Sequence, residues 1–236
     1  MAEAILALRH VHTFIGKHHI LQGVDLEFAP GEATVLLGRN GAGKSTTLRT
    51  IMGLTPAAKG QVLLAGQPLR GLKPYQVARM GVGFVPEDMA VLYTLTVEEN
   101  FRLAMLEETD QTWARMETVF GLFPDLKKFW RSKAGILSGG QKQMLAIGRA
   151  FVNDHQVLLI DEPSKGLAPI VVEQLAESLN HIKQVTKVVL VEQNFAMACQ
   201  VGGDYFILDD GRVAHSGSMD ELAHDDQLKR KYLGIG

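Results

Sequence analysis

Disulfides are excluded at the outset. The 236 residues contain one cysteine, Cys199, which has no intrachain partner and reads as a small buried hydrophobe in a reducing compartment. A surplus of positive charge is also missing. Lysine and arginine number 24 against 26 aspartates and glutamates, a net charge of −2, so no basic field exists to hold a nucleic acid. No apolar run approaches bilayer length, and Met1-Ala2-Glu3-Ala4 does not open a charged segment followed by an apolar one. The chain is therefore expected not to span a membrane by itself. Internal repeats and linkers rich in Pro, Gly and Ser are absent too. What is present is 46% hydrophobic and 21% charged, the proportions of a globular protein that can bury a sizeable core.

Periodicity sorts the chain into regions. Ile5 to Val11 and Ile20 to Phe28 alternate apolar and polar residues, the pattern of half-buried antiparallel strands. After Pro30-Gly31, Ala33 to Leu37 is continuously apolar, which suits a strand covered on both faces. Val62–Leu64, Gly83–Val85, Val157–Ile160, Val188–Val191 and Tyr205–Leu208 are further short strand candidates among helical patterns, so the expected fold class is α/β with a mostly parallel sheet. From about Thr96 to Phe151 a 3.6-residue period takes over, with Val97-Phe101-Leu103 and Trp113-Met116-Phe120 as apolar sets, and this stretch reads as a helical insertion. After Gly211 come a short β segment, Arg212–His215, and two small helical stretches ending near Tyr232.

Gly38-Arg39-Asn40-Gly41-Ala42-Gly43-Lys44-Ser45-Thr46 matches G-x-x-x-x-G-K-[ST], between a buried strand and a helix. The glycines let successive N–H groups turn into one concavity, and the following helix adds its positive end, so the loop suits a polyphosphate. Lys44 would reach the β- and γ-phosphates, and the Ser45 hydroxyl would ligate Mg²⁺. Val157 to Ile160 then ends in Asp161-Glu162, two acids at the carboxyl end of a strand, where ligands bind in such sheets. Asp161 is expected to hold Mg²⁺ and Glu162 to polarise the attacking water.

Leu137-Ser138-Gly139-Gly140-Gln141 opens another helix, with Ser138 and Gln141 spaced as a capping box. Its glycines are poor helix formers that leave N–H groups open to an anion. No strand–loop–helix unit of its own accompanies it, which suits a phosphate carried by another subunit.

LSGGQ between GRNGAGKST and LLIDEP resembles the signature set of ABC-type ATPases, and the order of motifs matches over nearly the whole chain. Phe84-Val85-Pro86-Glu87, Leu95 to Asn100, Ser164 to Pro169, Leu190 to Asn194 and Lys231 to Gly234 further resemble the ATP-binding subunit of branched-chain amino acid importers. The resemblance implies a P-loop NTPase (RecA-like) core with an N-terminal antiparallel β part and an inserted helical subdomain. The whole chain, 1–236, would be one ABC-type ATPase domain, with core 1–88 and 152–236 and insertion 89–151. It implies ATP and Mg²⁺ as cofactors, and head-to-tail pairing with a second ABC ATPase subunit, identical or different, whose bound γ-phosphate would meet Ser138 and Gly140. It also implies membrane permease subunits docking near Glu87 to Thr94, a periplasmic-type solute-binding protein, and a peripheral place on the inner face of the cell membrane.

Several positions depart from the general ABC pattern, and the first two follow the importer subfamily. Glu87 stands where glutamine usually serves Mg²⁺ and the membrane subunit, and Gln193 stands where histidine usually senses the γ-phosphate. Ala168 replaces an aspartate in the loop after Glu162. The adenine-stacking aromatic falls at Ile15, with Phe14 beside it. Two readings stay open alongside import: a nucleotide-gated dimer with another role, and an ABC subunit exporting lipid or polysaccharide. The histidines His10, His12, His18 and His19 lack cysteines and tetrahedral spacing and read as surface imidazoles.

Overall fold

Two sheets organise the computed structural model, which describes residues 4–235. β1 (Leu6–Ile15) and β2 (His18–Phe28) form an antiparallel hairpin whose inward positions, among them Leu6, Leu8, Val11, Leu21, Val24 and Leu26, are buried. Both strands outrun the apolar alternation. Their outer ends carry Phe14 stacked on His19 at 4.3 Å, a pairing on the solvent side that leaves no burial pattern in the sequence. β3 (Ala33–Leu37) leaves for the central sheet, while β4 (Lys59–Leu64) and the two-residue β5 (Gln67–Pro68) complete the first one in the order β2-β1-β4-β5.

The central sheet has six strands: β3, β6 (Val82–Val85), β7 (Val157–Asp161), β8 (Lys187–Val191), β9 (Gly202–Asp209) and β10 (Arg212–Ser218). Their order is β10-β9-β3-β8-β7-β6, and every pairing is parallel except that of β10 with β9. All five residues of β3, β7 and β8 are buried, as expected of strands covered on both sides. Along β7, Val157 and Leu159 enter one apolar cluster and Leu158 and Ile160 the other, so successive side chains serve opposite layers.

The first layer holds α1 (Lys44–Ile51) and α2 (Pro74–Arg79) with the inner face of the antiparallel sheet. The second holds α3 (Val97–Ala104), α4 (Asp110–Leu122), α5 (Pro124–Lys128), α6 (Gly139–Phe151), α7 (Pro169–Ile182), α8 (Phe195–Val201) and α9 (Met219–His224). The apolar faces of the helical region 97–151 and of the central sheet belong to one continuous cluster, with α6 packed against β6 and β7.

The apolar sets expected for α3 and α4 hold only in part. Leu103 is 66% exposed and Trp113 faces solvent, while Asn100, Thr112 and Val119 take inward places beside Phe101 and Met116. Asn100 can be fully buried because its amide donates to the carbonyls of Leu92 and Thr96 at 2.9 Å each and its oxygen accepts the Leu92 N–H at 3.0 Å. α3 itself starts from a reciprocal box: the Thr96 hydroxyl accepts the Glu99 N–H at 3.1 Å and the Glu99 carboxylate accepts the Thr96 N–H at 2.7 Å. Among the described residues no helix is long and apolar enough to cross a membrane.

Candidate functional site

The loop 38–43 leaves the carboxyl end of β3 and enters α1. A Cβ on Gly38, whose φ is 138°, would lie 2.2 Å from the Leu208 carbonyl oxygen of β9, so no other residue fits there. Gly43 is the N-cap of α1 at φ 104° and offers no side chain, which leaves the first-turn amides without a capping acceptor. Lys44 is buried, and its ammonium donates to the carbonyls of Gly38 at 2.7 Å and Arg39 at 3.1 Å, bridging the loop. Burial holds its pKa below the usual lysine value, opposed by the charges of Glu162 and Asp161. A cavity of about 400 Å³ opens above the loop, lined by Asn40, Gly41, Gly43, Lys44, Ser45 and Thr46 from below. Glu87, Glu162, Lys165 and Gln193 face it from the other side. Ala42 is buried, and Arg39 turns away to donate to the Lys231 carbonyl at 3.2 Å.

Parity along β7 fixes which acid meets α1. Asp161 follows Leu159 onto the α1 layer, where its Oδ1 accepts the Ser45 hydroxyl at 3.0 Å across 116 residues of sequence. Its pKa is pushed up to about 6, chiefly by burial and also by the charges of Glu162 and Glu87, against the Ser45 hydrogen bond and Lys44. Glu162, at φ 47°, adopts a left-handed conformation that strains a non-glycine residue, and its N–H donates to the Val191 carbonyl at 2.9 Å. The Gln193 amide donates to Glu162 Oε1 at 2.6 Å. Glu87 is ion-paired with Lys165.

These donors fit a hard cation bound together with a polyphosphate. A hydroxyl and a buried carboxylate lie side by side, and the negative charge there exceeds what Lys44 neutralises. Among the described residues no three His, Cys, Asp or Glu side chains could hold a metal by themselves, so phosphate oxygens would have to complete the coordination.

Phe14 and Ile15 are exposed on the β1–β2 hairpin and do not line the cavity, to which the hairpin contributes Ile20. Ser138 and Gly140, expected to meet the nucleotide of another subunit, stand away from this cavity. The Ser138 hydroxyl accepts the Gln141 N–H at 3.2 Å, Gln141 Oε1 accepts the Ser138 N–H at 2.9 Å, and the Gln141 amide continues to Asp125 at 2.8 Å. Gly140 is forced by packing, because a Cβ there would stand 2.6 Å from Val171 Cγ1 on α7. At the hairpin, His12 and His19 share a hydrogen bond of 3.0 Å with His10 edge-on to His12.

Other residues at the site escaped the sequence reading. Lys165 lies in a stretch that carries the family resemblance, yet nothing in that stretch marks it as the partner of Glu87. Arg149 on α6 donates to the Ala90 carbonyl at 2.7 Å and, with Asn100, holds the loop after β6, in which Met89 and Ala90 both have positive φ. Its helical position among apolar residues was the one available hint. Beside this loop runs a groove of about 900 Å³ between the core and the helical region, lined among others by Arg49, Leu54, Glu87, Leu106 and Arg149.

A parallel sheet of this order, a glycine loop feeding α1 and two acids at the end of β7 together define a P-loop NTPase. The family model described as ABC transporter matches residues 21–165. The high-affinity branched-chain amino acid transport ATP-binding protein BraG of Pseudomonas aeruginosa is 38% identical, over 98% of this chain and 100% of that protein. The probable branched-chain amino acid transport ATP-binding protein LivF of Archaeoglobus fulgidus is 35% identical, over 92% and 93%. Among solved structures, an ATP-binding subunit of an ABC transporter superposes with TM-score 0.82 at 28% identity, covering 98% of this chain and 96% of that one. The chain belongs to the ABC transporter family, as an ATP-hydrolysing ATP-binding subunit.

Proposed function

We propose that this subunit powers the import of branched-chain amino acids, with Lys44, Glu162 and Gln193 carrying the hydrolytic chemistry. The observation that carries the hydrolytic assignment is the convergence of three loops on one cavity. The loop after β3 brings open amides and Lys44, the carboxyl end of β7 brings Asp161 and Glu162, and the loop after β8 places the Gln193 amide 2.6 Å from the Glu162 carboxylate. The two branched-chain relatives, which match almost end to end, support the solute class.

In this reading residues 38–46 bind the triphosphate of ATP through backbone amides, Lys44 and the Ser45 and Thr46 hydroxyls. Ser45 and Asp161, with Glu87 nearby, would hold a magnesium ion that neutralises phosphate charge. Glu162 accepts a proton from the water that attacks the γ-phosphorus, and the bond to the bridging oxygen breaks to release ADP. Gln193 orients the Glu162 carboxylate and, unlike histidine, does not titrate. Phe14 and Ile15 would approach adenine only from the hairpin edge, so Ile20 is the better-placed apolar contact.

The same reading treats 1–236 as one domain, with 89–151 as the helical insertion. Ser138 and Gly140 would face the nucleotide of a second ATPase subunit, identical or different. Permease helices would lie in the groove beside Glu87 to Thr94, the subunit would sit on the inner face of the membrane, and a solute-binding protein would deliver the amino acid.

Glu162→Gln tests the assignment. ATP capture is expected to persist while turnover falls at least a hundredfold, about 3 kcal/mol in the barrier. Normal turnover in a steady-state phosphate-release assay would remove Glu162 from its role.

A further inference from the structure

Glu192 ends β8 immediately before Gln193 and is 1% exposed. A carboxylate this deep is unfavourable unless hydrogen-bonded, and three backbone amides meet it. Oε1 accepts the Ser164 N–H at 3.0 Å, while Oε2 accepts those of Gln193 and Asn194, both at 2.9 Å. Ser164 lies in the loop that carries Glu162, and Gln193 and Asn194 lie in the loop that reaches it. One side chain therefore joins the two loops that form the Glu162–Gln193 contact.

Helix capping does not explain the arrangement. α8 has its own cap, the Asn194 side chain accepting the Met197 N–H at 3.2 Å. Two features call for an external restraint. Glu162 holds a positive φ that persists only where its surroundings over-determine it. A cavity of about 420 Å³, lined by Gly38, Arg39, Glu192, Gln193, Phe195 and Leu233, also leaves the Gln193 loop room to swing away.

We propose that Glu192 is a positioning residue for hydrolysis: its buried carboxylate ties loop 162–165 to loop 193–194 and so holds the Gln193 amide on Glu162. This rests on the proposed role of Glu162. An amide at 192 keeps one acceptor oxygen and turns an NH₂ group toward one set of backbone N–H donors, releasing one loop from the other.

The test compares the full chain, assembled with its partners, as wild type, Glu192→Gln, Gln193→Ala, the double variant and Glu162→Gln. ATP turnover, binding of a fluorescent ATP analogue and thermal melting are measured on each. Glu192→Gln is expected to lower kcat about tenfold or more, with analogue affinity within about twofold of wild type. In the Gln193→Ala background the same change should lower kcat less than threefold, because the contact it supports is already gone. Glu192→Asp, which keeps a carboxylate on a shorter arm, should recover part of kcat. Three outcomes each overturn the proposal: a kcat unchanged by Glu192→Gln, an equal loss in both backgrounds, or a loss that follows collapse of melting temperature and affinity. Failure of the Glu162 assignment shows separately, as normal turnover in Glu162→Gln.

Discussion

Two helices in this molecule start beside glycines, and they start in opposite ways. α1 begins on Gly43 with no side-chain cap and with Lys44 folded across the loop before it. α6 begins on Ser138, whose reciprocal bonds with Gln141 close the box, with Gln141 anchored in turn to Asp125. The box uses the third amide of α6, and helix geometry leaves the first two, those of Gly139 and Gly140, without intrahelical acceptors. One start is open and surrounded by charge; the other is rigid and offers a narrow pair of donors. The difference fits the roles proposed for them, an open start that binds this chain's nucleotide and a closed one that faces the nucleotide of another subunit.

The largest expected break in this contrast comes from Lys44→Ala. The open start loses its cation, and ATP capture should weaken at least a hundredfold, about 3 kcal/mol, in a direct binding titration. Next is Asp161→Asn, which removes charge from the open side. A carboxyl whose folded pKa is raised contributes stability at low pH and loses it as pH rises through about 6. The asparagine chain without nucleotide should therefore melt several degrees higher than wild type at pH 7.5, an effect of about 2 kcal/mol that shrinks to nothing near pH 4 while Mg²⁺-dependent binding is lost. Gly140→Ala tests the closed start. Its Cβ would drive into Val171 and should cost about 1–3 kcal/mol in denaturant unfolding with little change in ATP capture by the isolated chain. Ser138→Ala is the mildest, about 1 kcal/mol from the lost cap, again without loss of capture.

Legibility in the sequence followed how local each feature is. The phosphate loop is contiguous, and its glycines mark the special backbone. Asp161 and Glu162 stand out because an apolar run ends on them. The Ser45–Asp161 contact joins residues 116 apart and depends on strand order, which periodicity does not encode. Asn100 and Glu192 were missed for a shared reason. A polar residue reads as surface until the backbone groups that satisfy it are seen, and those come from the turn leading into the helix for Asn100 and from a second loop for Glu192. Leu103 and Trp113 show the reverse, apolar residues on the outer side of helices whose inward positions include a satisfied amide and a hydroxyl.

The alternation along β7 also makes that strand a ruler. Asp161 reaches Ser45 only because an odd or even count of residues, not just their apolar character, separates it from the start of the strand. Removing any one of Val157 to Ile160 would leave a run just as hydrophobic, yet would shift the count and send the carboxylate to the layer of α6 and α7. A strand that tolerates exchange among valine, leucine and isoleucine is thus intolerant of a change in length by one.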